Sequence, residues 1–198
     1  FSAVLFDCDG ILVDSEPITN SVLREMLQEL GWDISEEECV RRFVGKAFLD
    51  EWQVIYEHTG HRIDMDWILG AVEAVREIAS RLPVACVSGA DRGKIDMQLA
   101  KIGLTDVFGE HVYSGMELER SKPDPAVYLV AAEALGVDPR TTAVVEDSGS
   151  GVRAGVAAGA TVFGYAPGEP TYLSPEELTS LGVTTVFGSM AELPALVG

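Results

Sequence analysis

"AVLFDCDGILVDSEP", Ala3–Pro17, opens on four apolar residues and then sets Asp7 and Asp9 two positions apart, with Asp14 and Glu16 close behind. The apolar residues read as a short strand buried on both faces. The acids then stand at its end, where repulsion is worst: two carboxylates ~4 Å apart repel by about 4 kcal/mol at an effective dielectric near 20. A chain that gathers acids there is expected to hold them for a cation and a phosphate.

The same kind of strand recurs along the chain. Pro83–Ser88 (PVACVS), Thr142–Glu146 (TAVVE) and Ala160–Tyr165 (ATVFGY) are apolar on both faces. Amphipathic helices are predicted between them, in GAVEAVREIASRL, RGKIDMQLAKIG and AVYLVAAEALG. In the last, Val127, Val130, Ala131, Ala134 and Leu135 make the apolar stripe, Pro125 opens the helix and Gly136 closes it. Alternating strands and helices predict an α/β fold with a doubly wound parallel sheet. The alternation breaks between Ser15 and Leu69, which contains helical stripes, a Ser35/Glu38 capping signature and no strand pattern. The expected organisation is a core of residues 1–14 and 70–198 with a small all-helical cap, 15–69, inserted after the first strand. Open α/β sheets bind ligands at their carboxyl rim, so such an insert reads as a lid.

Composition narrows the partners. With 14 basic against 32 acidic residues, the formal net charge is −18. That charge disfavours nucleic acid and anionic membranes, leaving a small-molecule substrate. No run is long and apolar enough to span a bilayer and no signal-peptide pattern is present. A cytoplasmic location and a monomer or weak dimer are expected. Opening on Phe1 rather than Met, the chain is expected to start inside the expressed protein. Cys8, Cys39 and Cys86 lack CxxC spacing and read as reduced core thiols. Cys8 lies between two aspartates, but with no His partner in reach it reads as core and not as a nucleophile.

Polar residues fall at successive strand ends. Asp7 and Asp9 follow the first strand, Ser88 ends the second, Glu146 and Asp147 end a later one, and Lys122 precedes a helix in SKPDP. Each has an ordinary reading alone, as a helix cap or a solvated side chain. Parallel strands would bring them to one rim. Oxygen-only ligands point to Mg²⁺, which takes one or two carboxylates plus substrate phosphate. One aspartate could then attack phosphorus, a second acid could move the proton, and Lys and Ser could hold the phosphate oxygens. His58, His61 and His111 have no zinc-site spacing.

Four ordered motifs carry a resemblance. DCDGILVD, CVSG, SKPDP and VVEDSGSGVRAG resemble motifs one to four of the haloacid dehalogenase superfamily, over essentially the whole chain. The helical insert is similar to the cap of the branch containing β-phosphoglucomutase and sugar-phosphate phosphatases. The resemblance implies Asp7 as nucleophile and metal ligand, and Asp9 as acid/base that offers its backbone carbonyl to the metal. Ser88, Gly89 and Lys122 would bind phosphate, Asp147 would bind Mg²⁺, and Glu146 would be a ligand or support one. Lys46 of the insert is the expected substrate contact, ahead of Arg41 and Arg42.

The mutase commonly carries a His soon after the first motif. Here the stretch reads SEPITNSV, which favours hydrolysis. The expected function is a Mg²⁺-dependent phosphatase of a sugar or sugar-acid phosphate, with a phosphosugar mutase as alternative and a receiver-like phospho-accepting switch behind it. A dinucleotide site at GSGVRAG is disfavoured. Its spacing is GxGxxxG with two acids before it, and Gly149, Gly151 and Gly155 read as tight helix–strand packing.

Overall fold

A strand with no exposed face needs cover on both sides, and Ala3–Phe6 is such a strand. In the computed structural model, which describes residues 1–13, 24, 27–28, 31–35, 37–39, 57–59, 70–168 and 172–198, all four residues of this strand, β1, are buried. Five more follow: β2 (Val84–Ser88), β3 (Val112–Ser114), β4 (Thr142–Glu146), β5 (Thr161–Tyr165) and β6 (Thr185–Phe187). Their spatial order is β3-β2-β1-β4-β5-β6, with every pairing parallel. The winding reverses between β1 and β4, where Phe6 stands opposite Val145. The crevice beyond these two carboxyl ends is where an open α/β sheet takes its ligand.

The α-helices described around this sheet are α1 (Ala71–Ala79), α2 (Arg92–Ile102), α3 (Thr105–Phe108), α4 (Ala126–Ala134), α5 (Gly149–Ala157), α6 (Pro175–Ser180) and α7 (Leu193–Leu196). Their ends follow from sequence. The Asp91 carboxylate accepts from Lys94 N to cap α2, and Gly103 closes it in the left-handed region at φ 70°. Ser174 and Glu177 make a reciprocal capping box at α6. One core face gathers Leu5, Val87, Val144 and Val162 of the sheet with Val127, Ala131, Val152 and Ala154 of α4 and α5.

Two details depart from expectation. The edge strands β3 and β6 are three residues each, too short to show an apolar run. The inward face of α4 is Val127, Tyr128, Ala131 and Ala132, whereas Val130 is 37% exposed. AVYLVAAEA is apolar nearly all round, so its period does not fix the face; the buried hydroxyl partner of Tyr128 does. Ser148 caps α5, so the ordinary reading of Asp147 as a helix cap does not hold. Of the three glycines in GSGVRAG, Gly155 does pack the helix onto the sheet: a Cβ there would stand 2.9 Å from Val162 and 3.0 Å from Val144.

The chain divides into two compact units, Phe1–Val13 with Trp67–Gly198, and Asp14–Asp66. In the second, Arg24, Leu27, Gln28, Glu37–Cys39 and Glu57–Thr59 are helical. Ser35 Oγ accepts from Glu38 N at 3.2 Å, and Trp32 stacks on His58 with centroids 4.0 Å apart. Leu27, Ile34 and Cys39 are buried. Lys46, Arg41 and Arg42 lie outside the described residues, as do Asp14, Glu16 and most positions of the expected cap. Among the described residues no helix is long and apolar enough to cross a membrane.

Candidate active site

Lys122, whose side chain is 6% exposed, carries three ammonium protons and meets three acceptors. It donates to Asp7 Oδ1 at 2.6 Å, Glu146 Oε1 at 2.7 Å and the Val87 carbonyl at 2.9 Å. Thus the loop before α4 is joined to the ends of β1, β2 and β4 at one nitrogen. The Lys122 ammonium also lies 4.9 Å from the Tyr128 ring centroid.

Glu146 is fully buried, and both its oxygens are occupied. Oε1 accepts from Lys122 and from the Tyr128 hydroxyl at 2.7 Å; Oε2 accepts from Ser148 N at 3.2 Å and Ser148 Oγ at 3.0 Å. Carboxylate oxygens of Asp7, Glu146 and Asp147, all buried, lie within 4.8 Å of one another. By distance alone Glu146 could share an ion. By hydrogen bonding it is already saturated with four donors, the capacity of a carboxylate. Asp7 and Asp147 are therefore the better pair of oxygen ligands.

Two glycines make this crowding possible. Gly10 adopts φ +75°, and a Cβ there would fall inside the Asp147 carboxylate. A Cβ on Gly151, in the first turn of α5, would fall inside the Glu146 carboxylate. Gly151 thus serves the site and not helix–sheet packing. Gly151→Ala should displace Glu146, destabilise the fold by about 2 kcal/mol and weaken the hold on Lys122. Denaturant melts and turnover of the purified variant check this; wild-type values for both would contradict it.

Burial first, then the facing Glu146, push the Asp7 carboxyl from 3.8 up to about 7, against the pull of Lys122. Burial would depress Lys122, but the Asp7 and Glu146 carboxylates outweigh it and hold the ammonium well above its usual range. Without a cation, the crowded acids thus hold the Asp7 carboxyl far above the usual carboxylate range.

Asp9 is engaged differently. Lys94 donates to its Oδ1 at 3.0 Å and its Oδ2 at 3.1 Å, and Gln98 Nε2 donates to Oδ1 at 3.0 Å. Ser88 is buried at the end of β2, its Oγ accepting from Ala90 N at 3.1 Å. Ala90 O in turn accepts from Ser114 Oγ, so β3 anchors this loop. Gly89 is exposed beside it, with Ser121 Oγ 3.8 Å from where its Cβ would be. Cys8 is buried; its contact with Cys86, then burial, push the thiol well up, as for a core cysteine and not a nucleophile.

Lys122, Asp7, Glu146 and Asp147 therefore meet at one place. Lys94, Gln98 and Tyr128, which lie outside the four motifs, complete the network, as does Ser148 within the fourth. One signal was present for Gln98: it interrupts the stripe Ile95, Leu99, Ile102 at a position that helical period places inside.

A family model described as haloacid dehalogenase-like hydrolase matches residues 1–159. The 6-phosphogluconate phosphatase of Escherichia coli K12 is 30% identical, over 98% of this chain and 93% of that protein. Hexitol phosphatase B of the same organism is 30% identical, over 79% of each. A crystal structure of a HAD family hydrolase from Deinococcus radiodurans R1, with bound phosphate and sodium, is 35% identical and superposes with a TM-score of 0.73 over 100% of this chain and 95% of that one.

Proposed function

The chain belongs to the haloacid dehalogenase-like hydrolase family, and from that premise we propose that it hydrolyses a sugar or sugar-acid phosphate, as its relatives' names suggest, through an aspartyl-phosphate on Asp7 with the help of Mg²⁺. The observation that carries the reading is the convergence of Lys122, Asp7 and Asp147 beyond β1 and β4. The donor set fits the ion: oxygen atoms only, from buried acids whose repulsion needs a cation. Asp7, Asp147 and the Asp9 carbonyl would hold it, while Glu146 holds Lys122. Bound there, Mg²⁺ supplies positive charge against the phosphate oxygens and the Asp7 carboxylate.

The chain's own groups do the rest. Ser88, Gly89 and Lys122 bind the phosphate oxygens and orient phosphorus toward Asp7. Asp7 Oδ attacks phosphorus as the bond to the sugar oxygen breaks, and Asp9 gives its proton to that oxygen, which leaves as the alcohol. Asp9, now a carboxylate, takes a proton from the water that attacks the aspartyl-phosphate. Phosphate leaves, and Asp7 and Asp9 return to their starting states.

The test is a panel of phosphorylated sugars, sugar acids and hexitols assayed with Mg²⁺ and with chelator. Release of phosphate that depends on Mg²⁺ is expected. Interconversion of phosphosugar isomers without phosphate release would contradict hydrolysis and support a mutase.

A pH effect follows from Asp7. Its folded carboxyl, at about 7, binds protons more tightly than the unfolded 3.8. The stability it contributes is full below about pH 4 and lost as pH rises through 7. Metal-free wild type should therefore lose melting temperature relative to Asp7→Asn between pH 5 and 8, and Mg²⁺ should restore wild type more at pH 8 than at pH 5. Parallel pH–melting curves for the two proteins in chelator would contradict this.

A further inference from the structure

Gln98 is a polar side chain on the inward face of α2, 1% exposed between Ile95 and Leu99. Burying an amide is unfavourable unless both ends are bonded. Here Nε2 donates to Asp9 Oδ1 at 3.0 Å, and Oε1 accepts from the Cys8 thiol at 3.4 Å. Turning the amide over would set its oxygen against an accepting carboxyl oxygen of Asp9 and its nitrogen against a thiol proton. The two neighbours therefore fix one orientation. Lys94, one turn earlier on the same face, donates to both Asp9 oxygens, and its backbone N–H is held by Asp91. Cys8, which the chemistry at phosphorus does not use, thereby has a task.

Resting on the reading of Asp9 as the group that moves the proton, we infer that Gln98 and Lys94 are positioning residues that hold the Asp9 carboxyl in the orientation from which it reaches the leaving oxygen, with the Cys8 thiol locking the Gln98 amide. Asp9 stands on the tight turn Cys8–Val13, in which Leu12 N and Val13 N both donate to Cys8 O. Its backbone is fixed there, but two side-chain torsions remain to be set. Two donors from one rigid helix set them. Misplacing a proton donor by about 1 Å costs on the order of 100-fold in a proton-transfer step, and partial loss of the dock costs a fraction of that.

The test compares kcat/KM for p-nitrophenyl phosphate, whose leaving group needs no proton, with kcat/KM for the sugar phosphate turned over best. Gln98→Leu, of similar size and apolar in a buried place, should keep the melting temperature. It should lower kcat/KM roughly 10-fold on the sugar phosphate and less than about 3-fold on the nitrophenyl ester. Lys94→Met should show the same split, and Cys8→Ser, which keeps a donor, should stay near wild type. Asp9→Asn is the reference and should show the largest split. If Asp9→Asn splits the substrates and Gln98→Leu lowers both equally or neither, the inference is overturned while the role of Asp9 stands. If Asp9→Asn shows no split, the role of Asp9 falls, and the inference with it.

Discussion

Asp7→Asn should abolish turnover, by roughly four orders of magnitude or more, while leaving a protein that folds as well as wild type in the absence of metal. The two halves of this result come from the same environment. An amide cannot form the phosphoryl ester, so chemistry stops at the first bond. Yet the wild-type carboxyl is disfavoured as an anion by burial and by Glu146, with Lys122 the counterweight. Asparagine keeps an oxygen that accepts from Lys122 and removes one of two facing charges. Substitution of an ordinary buried, salt-bridged carboxylate would cost stability; this one should not. Turnover near wild type in a folded Asp7→Asn protein would refute the nucleophile assignment.

Lys122→Met should be the most damaging substitution to the fold among the site residues. It removes the cation that bonds Asp7, Glu146 and the Val87 carbonyl at once, and leaves two buried carboxylates facing each other. Breaking a buried pair from one side costs about 3–5 kcal/mol, because the remaining charge is uncompensated. Adding Glu146→Gln on that background removes one of the stranded charges and should return part of the loss, without returning activity. Denaturant melts of the single and double variants test this. An additive loss in the double variant would mean that Lys122 and Glu146 do not compensate each other.

Much of this was legible in the sequence for physical reasons. β1, β2, β4 and β5 are four or five residues long, mostly apolar and almost wholly buried, so their pattern shows in the sequence. The doubly wound order then follows, and with it the meeting of Asp7, Lys122, Glu146 and Asp147. β3 and β6 were not legible, because three residues at a sheet edge, partly exposed, carry no pattern. The inward face of α4 was not legible either, because an almost wholly apolar helix has no preferred side until a polar partner chooses one. Here Glu146 chooses Tyr128. Gln98 and Lys94 belong to a third kind. Their role depends on a contact made across about ninety residues of chain, to Asp9, which spacing alone does not show.

The most direct measurement is acid quench during turnover of p-nitrophenyl phosphate, followed by mass analysis of the peptides, on wild type and on Asp9→Asn. The expected result is the mass of one phosphoryl group on the peptide that contains Asp7, more abundant in Asp9→Asn because the water that clears the ester has lost its base. A phosphoryl group on another residue, or on none in either enzyme while phosphate is being released, would contradict an Asp7 ester as the working intermediate.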